Sequence, residues 1–209
     1  MWPDAHDTQT LLDHARLGDA GAVDRLLARH RAAVRRMIQL RMDPALGRRV
    51  DASDIAQDVL VEAHRRLAKY LNNPTMPFHL WLRQMAQDRL IDAHRRHRGA
   101  ARRSLDRERP LDVRLPRDRS TRNLTLQLYD RELTPAAAAT WRELKRRFEE
   151  ACRALEPQHQ EIVVMRHFEQ LSNSEAALAL GLSPQAASMR YLRAIRRLRE
   201  LLDDEATTT

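Results

Sequence analysis

Residues 154–202 read ALEPQHQEIVVMRHFEQLSNSEAALALGLSPQAASMRYLRAIRRLRELL. Residues that begin or end helices divide this stretch into short helices. Pro157 opens the first of them, because proline is favoured in the first helical turn. Ser172 or Asn173 caps the next helix, and Gly181 ends it where a left-handed residue is favoured. A helix, a tight turn and a following helix predict a helix-turn-helix.

The last helix of this stretch begins at Ser183, an N-cap followed by Pro184 in the first turn. An apolar stripe predicted to pack on the lobe consists of Ala187, Tyr191, Ala194, Ile195, Leu198 and Leu202. A helix with an Arg-rich face can equally belong to a solvated bundle, but the Gly-Leu-Ser-Pro turn favours a DNA-recognition helix. The side chains predicted to reach bases and phosphates are Ser183, Gln185, Ser188, Arg190, Arg193 and Arg197.

The N-terminal part of the chain also has a helical pattern. Apolar residues recur every three or four positions over residues 8–42, and Gly18 and Gly21 interrupt the pattern near its start. This pattern predicts a helical hairpin. Pro44 and Gly47 are then predicted to break the chain before the next helix.

A helix is predicted from the N-cap sequence at residues 51–54 to about Tyr70, with Ile55, Val59, Ala63 and Leu67 facing inward. Its opposite face is acidic and polar, although the protein as a whole is basic. Acids near a helix N-terminus also complement the macrodipole, so composition alone leaves this face open to either interpretation. The residues of the face are Asp54, Gln57, Asp58, Val61 and Glu62.

Two asparagines and two prolines in residues 71–77 predict an irregular loop before a helix over residues 78–98 that ends before Gly99. The C-terminal end of that helix is basic. His94 and His97 share a face there, but neighbouring arginines disfavour a metal cation, so no metal site is predicted. The predicted apolar side consists of Trp81, Leu82, Met85, Ala86 and Leu90.

Residues 99–123 lack a helical period, and arginines there far outnumber acids. This composition predicts a basic linker that is disordered when free. A short helix is predicted over residues 124–133, and Pro135 starts a long helix that runs to about Leu155.

Composition limits the architecture and the partners. Aromatic residues make up 4% of the chain, which favours two small helical lobes over one large core. The net charge of +8 is carried mainly by arginine and favours a polyanionic partner, nucleic acid first.

Cys152 is the only cysteine, and a single cysteine excludes a disulfide framework and a Cys-rich zinc site. Its side chain is interpreted as a buried apolar residue. With no signal-peptide pattern and no apolar run of membrane-spanning length, we expect a soluble, cytoplasmic protein.

The order of these parts resembles the sigma-70 family of RNA polymerase factors, in particular the extracytoplasmic-function group, which keeps only regions 2 and 4. Residues 51–58, DASDIAQD, look like the family's DAEDLVQE segment, and residues 78–96 follow its pattern F..WL...A.....D..RR. The positions that resemble region 4 are Leu155, Ser172, Glu175, Ala177, Leu180 to Ser183, Arg190, Arg193, Ala194, Arg197 and Leu198.

The resemblance implies an all-α fold of two small helical domains. Region 2 would occupy residues 1–98, a basic flexible linker residues 99–134, and the region 4 helix-turn-helix residues 135–209. It also implies that the face of Asp54 to Glu62 binds the clamp helices of the polymerase beta-prime subunit, with the beta flap as a further contact.

For the promoter, the resemblance implies that the loop of residues 71–77 and the following helix bind the minus-10 element, where a base is flipped out of the opened strand. Trp81 is assigned to the core. Leu80, Asp88 and Ser188 depart from residues common in the family and put exact base preference in doubt. The minus-10 contacts are predicted to be Asn72, Asn73, Arg83, Gln84, Gln87, Asp88, Arg95 and Arg96, and region 4 is predicted to bind the minus-35 element.

These features predict a sigma factor that is not an enzyme, since the sequence has neither a phosphate-binding loop nor an HExxH motif. Neither a cofactor nor a small-molecule substrate is predicted, and an anti-sigma factor is a further candidate partner.

Two alternative functions remain open. One is a helix-turn-helix regulator that never joins polymerase, and the other is an anti-sigma or adaptor protein that acts by helix packing alone.

Overall fold

The structure is a computed structural model that describes residues 2–101 and 138–207. Its regular elements within those two ranges are all helical, as predicted. The chain divides into an N-terminal unit, residues 1–113, and a C-terminal unit, residues 114–209. The predicted helix over residues 124–133, the helix start at Pro135 and most of the predicted linker lie outside the described residues.

An aspartate precedes each of the first four helices of the N-terminal unit, and its carboxylate accepts backbone N–H bonds of the first turn. The predicted cap at Asp51 is one of them, with its carboxylate 2.7 Å from the Ser53 nitrogen. Gly18 forms the turn of the predicted hairpin at φ 89°. The helices are α1 Ala5–Arg16, α2 Ala20–Arg41, α3 Pro44–Gly47, α4 Ala52–Asn72 and α5 Phe78–Ala101.

The predicted break at Pro44 and Gly47 is present between α2 and α4, and it contains one helical turn, capped by Asp43. Two boundaries in this unit differ from the prediction. Asn72 lies in the last turn of α4 instead of the loop. The helix α5 continues past Gly99 to Ala101, because a glycine followed by two alanines costs helix propensity without stopping the helix.

The core of the N-terminal unit lies among α2, α4 and α5. The predicted inward stripe of α4 is buried, with Val59 and Ala63 fully inaccessible. The Phe78 ring packs edge-on against His30, with 5.0 Å between ring centroids. Tyr70 stacks on Trp81 at 4.7 Å, so Trp81 packs against this core as predicted.

In the C-terminal unit, the predicted helix starts and ends are confirmed. Ser172 and Glu175 form a capping box, and Gly181 ends its helix at φ 64°. Ser183 caps the last helix through the Ala186 nitrogen at 3.1 Å. The helices are α6 Ala138–Ala154, α7 Pro157–Val163, α8 Asn173–Leu180 and α9 Pro184–Thr207, and a π-helical turn, Val164–Phe168, follows α7.

The π-helical turn is a feature that the apolar pattern did not predict. It places Val164, Met165 and Phe168 in the core together. Gln170 then adopts a left-handed conformation at φ 58°. The predicted apolar stripe of α9 packs on this core through Ala187, Ala194, Leu198 and Leu202, while Tyr191 and Ile195 are half-buried.

Candidate nucleic-acid and protein interfaces

The predicted acidic face of α4 is on the surface. Asp54, Gln57 and Asp58 are exposed, and Val61 keeps 45% of its surface accessible. Their spacing of three and four residues places them on one side of the helix, opposite the buried stripe. Four of the five predicted residues are therefore presented together to a partner.

Glu62, the fifth predicted residue, makes ion pairs within the protein. Its side chain is 17% exposed, and its carboxylate lies 2.5 Å from Arg66 Nε. It also lies 3.8 Å from Arg65 and 3.4 Å from Arg89 of α5. Glu62 thus connects α4 with α5, which gives it a positioning role, and its predicted contact with a partner stays a prediction.

A groove lies beside the acidic face, between α2 and α4. Its volume is about 450 Å³. Gln57 and Val61 belong to both the groove and the face. Sequence reasoning missed the groove because α2 supplies part of its wall, through Leu27 and Arg31, and periodicity does not reveal which helices pack together. The lining residues are Leu27, Arg31, Gln57, Leu60, Val61, His64 and Arg65.

The last residue of α4 and the C-cap that follows it present two exposed amides. Asn72 and Asn73 are both exposed, and the Asn73 backbone N–H donates to the Lys69 carbonyl at 3.3 Å. The Tyr70 hydroxyl donates to the Met76 carbonyl at 2.9 Å, which fixes the turn between α4 and α5 against the core. The predicted base-contacting amides are therefore held beside an anchored turn.

Along α5, Gln84 and Asp88 are exposed and Gln87 is half-buried. These positions share a side of the helix because they are three and four residues apart. Arg95 and Arg96 are exposed further along. Five of the predicted minus-10 contacts on α5 are thus accessible to a ligand.

Arg83 is the exception because it is buried in this structure, and its predicted DNA contact stays a prediction. The residue is 3% exposed, and its Nη1 donates to Gln87 Oε1 at 3.3 Å. The long aliphatic stem of arginine can follow a packed surface, so a basic residue beside a core position need not face solvent. Leu80, one of the departures from the family pattern, is buried at 2% exposure and belongs to the core.

On the predicted recognition helix α9, some of the predicted contact residues are exposed and others are half-buried. Gln185, Arg193 and Arg197 are exposed, although Arg197 pairs with Glu200 at 3.0 Å. Ser188 and Arg190 are half-buried. The Ser183 hydroxyl is engaged as the N-cap, which limits its use for base contact.

Two contacts that sequence reasoning missed hold the helix-turn-helix together. Asn173 Nδ2 donates to the Pro184 carbonyl at 2.8 Å, which ties the start of α8 to the start of α9. His167 Nε2 lies 2.6 Å from the Tyr191 hydroxyl. Burial lowers the pKa of His167 to about 4, with a further contribution from the Arg166 charge, so the imidazole is neutral near neutral pH.

Across residues 2–101 and 138–207, no group of three or more His, Cys, Asp or Glu side chains is arranged to hold a metal ion. His94 Nδ1 instead lies 3.3 Å from Asp43 Oδ2. Within the same described ranges, no helix has both the length and the apolar character needed to cross a membrane.

Comparison with protein families and curated proteins gives a consistent result. Residues 23–100 match the family model for Sigma-70 region 2, and residues 145–198 match the model for Sigma-70, region 4. The RNA polymerase sigma-E factor of Streptomyces antibioticus is 43% identical over 54 residues, 26% of this chain and 30% of that protein. The corresponding protein of Streptomyces avermitilis is 43% identical over 51 residues, 24% of this chain and 28% of that protein. These alignments span less than a third of the curated relatives.

A solved structure of CnrH in complex with the cytosolic domain of CnrY has a similar fold. It superposes with a TM-score of 0.56 at 24% identity, and the match covers 96% of this chain and 99% of that one.

Proposed function

The chain belongs to the sigma-70 family, and on that premise we propose that it is a sigma factor of the extracytoplasmic-function group, which binds core RNA polymerase and directs promoter recognition, DNA melting and transcription initiation. Residues 1–98 are proposed to act as region 2, residues 99–134 as the linker and residues 135–209 as region 4. Enzymatic activity is not part of this proposal, and the proposed location is the cytoplasm.

The observation that carries the proposal is the exposed acidic face of α4 in a protein of net charge +8. Nucleic acid repels exposed carboxylates such as Asp54 and Asp58, so this face suits a protein partner. The adjacent groove adds apolar surface from Leu60 and Val61. We propose that this combined surface receives the clamp helices of the polymerase beta-prime subunit.

Promoter contacts are proposed on the opened minus-10 strand and on the minus-35 duplex. Asn72 and Asn73 would recognise bases of the opened strand, since exposed amides offer both donors and acceptors. The proposed α5 contacts are Gln84, Gln87, Arg95 and Arg96, together with Asp88, whose carboxylate would accept a hydrogen bond from a base amino group and not meet a phosphate. In the minus-35 element, Gln185 would reach bases, and Arg193 and Arg197 would bind phosphates.

The beta flap and an anti-sigma factor are proposed as further partners of the chain. The rival function, a helix-turn-helix regulator that acts without joining polymerase, accounts for the C-terminal unit. It assigns no partner to Asp54, Gln57 and Asp58.

Run-off transcription tests the proposed function. Core polymerase from the native host is supplied with this protein and a genomic promoter library, at limiting core concentration. Asp54→Ala and Gln57→Ala are each expected to reduce specific run-off product by about tenfold, equivalent to ~1.4 kcal/mol of binding.

The control is Asp13→Asn, which removes an exposed carboxylate on α1 and is expected to leave the product unchanged. Specific initiation that both α4 variants leave intact would remove the acidic face from the proposal. Absence of initiation, together with duplex binding by the same protein, would favour the regulator.

A further inference from the structure

Two large apolar side chains lie on the surface of α9. Met189 keeps 46% of its surface exposed and Leu192 keeps 54%. Single exposed apolar residues are common, but two on one helix otherwise rich in arginine form a distinct feature. The C-terminal unit is otherwise well packed around these positions, with Ala187, Ala194 and Leu198 fully inaccessible.

The two residues share the outer face of α9. They are three positions apart, which places them side by side on a helix. Gln185 stands four residues before Met189, and Arg196 four residues after Leu192; both are exposed. Arg193 follows Met189 by four residues and is exposed as well. The outer face therefore has an apolar centre between one amide and two guanidinium groups.

This arrangement specifies the chemistry of a ligand. Guanidinium groups at the edge of the face suit phosphates, and an apolar centre suits a surface that is itself apolar. The major groove of DNA combines the two, because phosphates border it and each thymine presents a C5-methyl group within it. A purely polar array of base edges would leave both apolar side chains without a matching partner.

The predicted polar base contacts on this helix are few. Ser183 is exposed but its hydroxyl is engaged as the N-cap, Ser188 is half-buried, and Gln185 is exposed. Hydrogen-bond recognition by α9 is therefore limited, and apolar contact has a larger share of the recognition.

We propose that Met189 and Leu192 recognise thymine C5-methyl groups in the major groove of the duplex bound by α9, with Arg193 and Arg196 on the flanking phosphates. This proposal rests on the proposed binding of promoter duplex by the C-terminal unit. It assigns sequence preference to two residues outside the predicted contact set.

The test removes the methyl group from the DNA instead of changing the protein. Duplexes are first selected from a randomised library with the full chain bound to core polymerase. Each thymine of the selected duplex is then replaced singly by uracil, which keeps base pairing and lacks the methyl group. Uracil at one or two positions is expected to weaken binding about fourfold, the factor for one buried methyl-sized group.

Protein variants then connect that effect to the two side chains. Met189→Ala and Leu192→Ala are expected to bind the thymine duplex more weakly and to lose the uracil effect at one position each. Leu17→Ala removes an exposed leucine, 86% accessible, from the N-terminal unit and is expected to keep the full uracil effect. Uracil outside the protected duplex controls for changes in DNA shape.

The outcomes separate this inference from the proposed function. Selection of a duplex whose thymines all tolerate uracil overturns the inference alone, and weaker polymerase binding by the two variants would then identify the face as a protein contact. An uracil effect that persists at the same positions in both variants also overturns it. Failure to select any duplex overturns both the inference and the proposed duplex binding.

Discussion

Glu62 of α4 and Arg89 of α5 form an ion pair of 3.4 Å, which joins the helix with the acidic face to the helix with the proposed minus-10 contacts. The Glu62 carboxylate is 17% exposed and the Arg89 side chain 36%, so water screens this pair less than most surface pairs. Arg65 and Arg66 lie close to the same carboxylate. Glu62 is therefore placed to hold the two helices in register.

Removing this carboxylate charge should destabilise the N-terminal unit. Glu62→Gln leaves three arginines without their shared anionic partner, and we expect a loss of about 1 kcal/mol in the free energy of unfolding. Urea denaturation at low and high salt measures the loss, which should shrink as salt screens the charges. Asp13→Asn removes an exposed ion pair with Arg16 and should cost no more than a few tenths of a kcal/mol. Equal losses in the two variants would contradict a positioning role for Glu62.

The buried histidine of α2 should make the N-terminal unit sensitive to acid. His30 is fully buried, and this burial lowers the pKa of its imidazole to about 4, while its Nδ1–H donates to the Leu26 carbonyl at 2.8 Å. The unfolded chain takes up a proton near pH 6.5 and the folded chain only near pH 4. The stability contribution of neutral His30 is therefore complete above about pH 6.5 and decreases as pH falls towards 4, by at most ~1.4 kcal/mol per unit.

Hydrogen exchange of the α2 amides, followed from pH 7 to pH 4, isolates this effect from that of His167 in the other unit. Protection corrected for the intrinsic exchange rate should decrease across this range more steeply in the wild type than in His30→Gln, which does not titrate. Parallel pH profiles for the two proteins would show that His30 is not the titrating group.

Cys152 should be chemically inert in the folded protein. Its side chain is 5% exposed beside the fully buried Phe148, and burial raises the pKa of its thiol well above the usual range. Because the thiolate is the reactive form, an aromatic disulfide reagent should label it only after addition of denaturant. Cys152→Ala should retain the fold and abolish labelling. Fast labelling of the native wild type would point to an accessible thiol.

At position 170, the left-handed position after the π-helical turn, glycine should be more favourable than the native glutamine. Gln170 is exposed at φ 58°, a conformation that costs a residue with a Cβ of order 1 kcal/mol. Part of this gain is lost because glycine is freer in the unfolded chain, so we expect Gln170→Gly to raise stability by roughly 0.5 kcal/mol. Gln158→Gly, in the first turn of α7, should instead lower stability, by at most about 1 kcal/mol, the cost in a helix interior. Thermal denaturation of both variants measures whether each substitution raises or lowers the melting temperature.

The features that sequence predicts well are local ones. The N-cap, predicted at Ser172 or Asn173 and found at Ser172, the turn at Gly181 and the proline start of α9 each depend on a few neighbouring residues, and all three are present. The buried stripe of α4 follows from helical spacing alone. The acidic face was likewise predicted because it lies opposite that stripe.

The features that sequence misses depend on tertiary partners. Burial of Arg83 requires knowledge of what packs over α5, and the ion pairs of Glu62 require the position of Arg89 on another helix. The groove beside Val61 needs the approach of α2. Met189 and Leu192 could have been found from the helical wheel of α9, because neither falls on its apolar stripe.

Permanganate footprinting on one promoter tests the central claim most directly, since it reports unpaired thymines. Three samples are compared, containing this protein alone, core polymerase alone and both together. We predict unpaired thymines near the minus-10 position only when both are present, with Asn72→Ala and Asn73→Ala weakening the signal and Asp13→Asn preserving it. Duplex protection by the chain that never leads to polymerase-dependent strand opening would contradict the sigma-factor account.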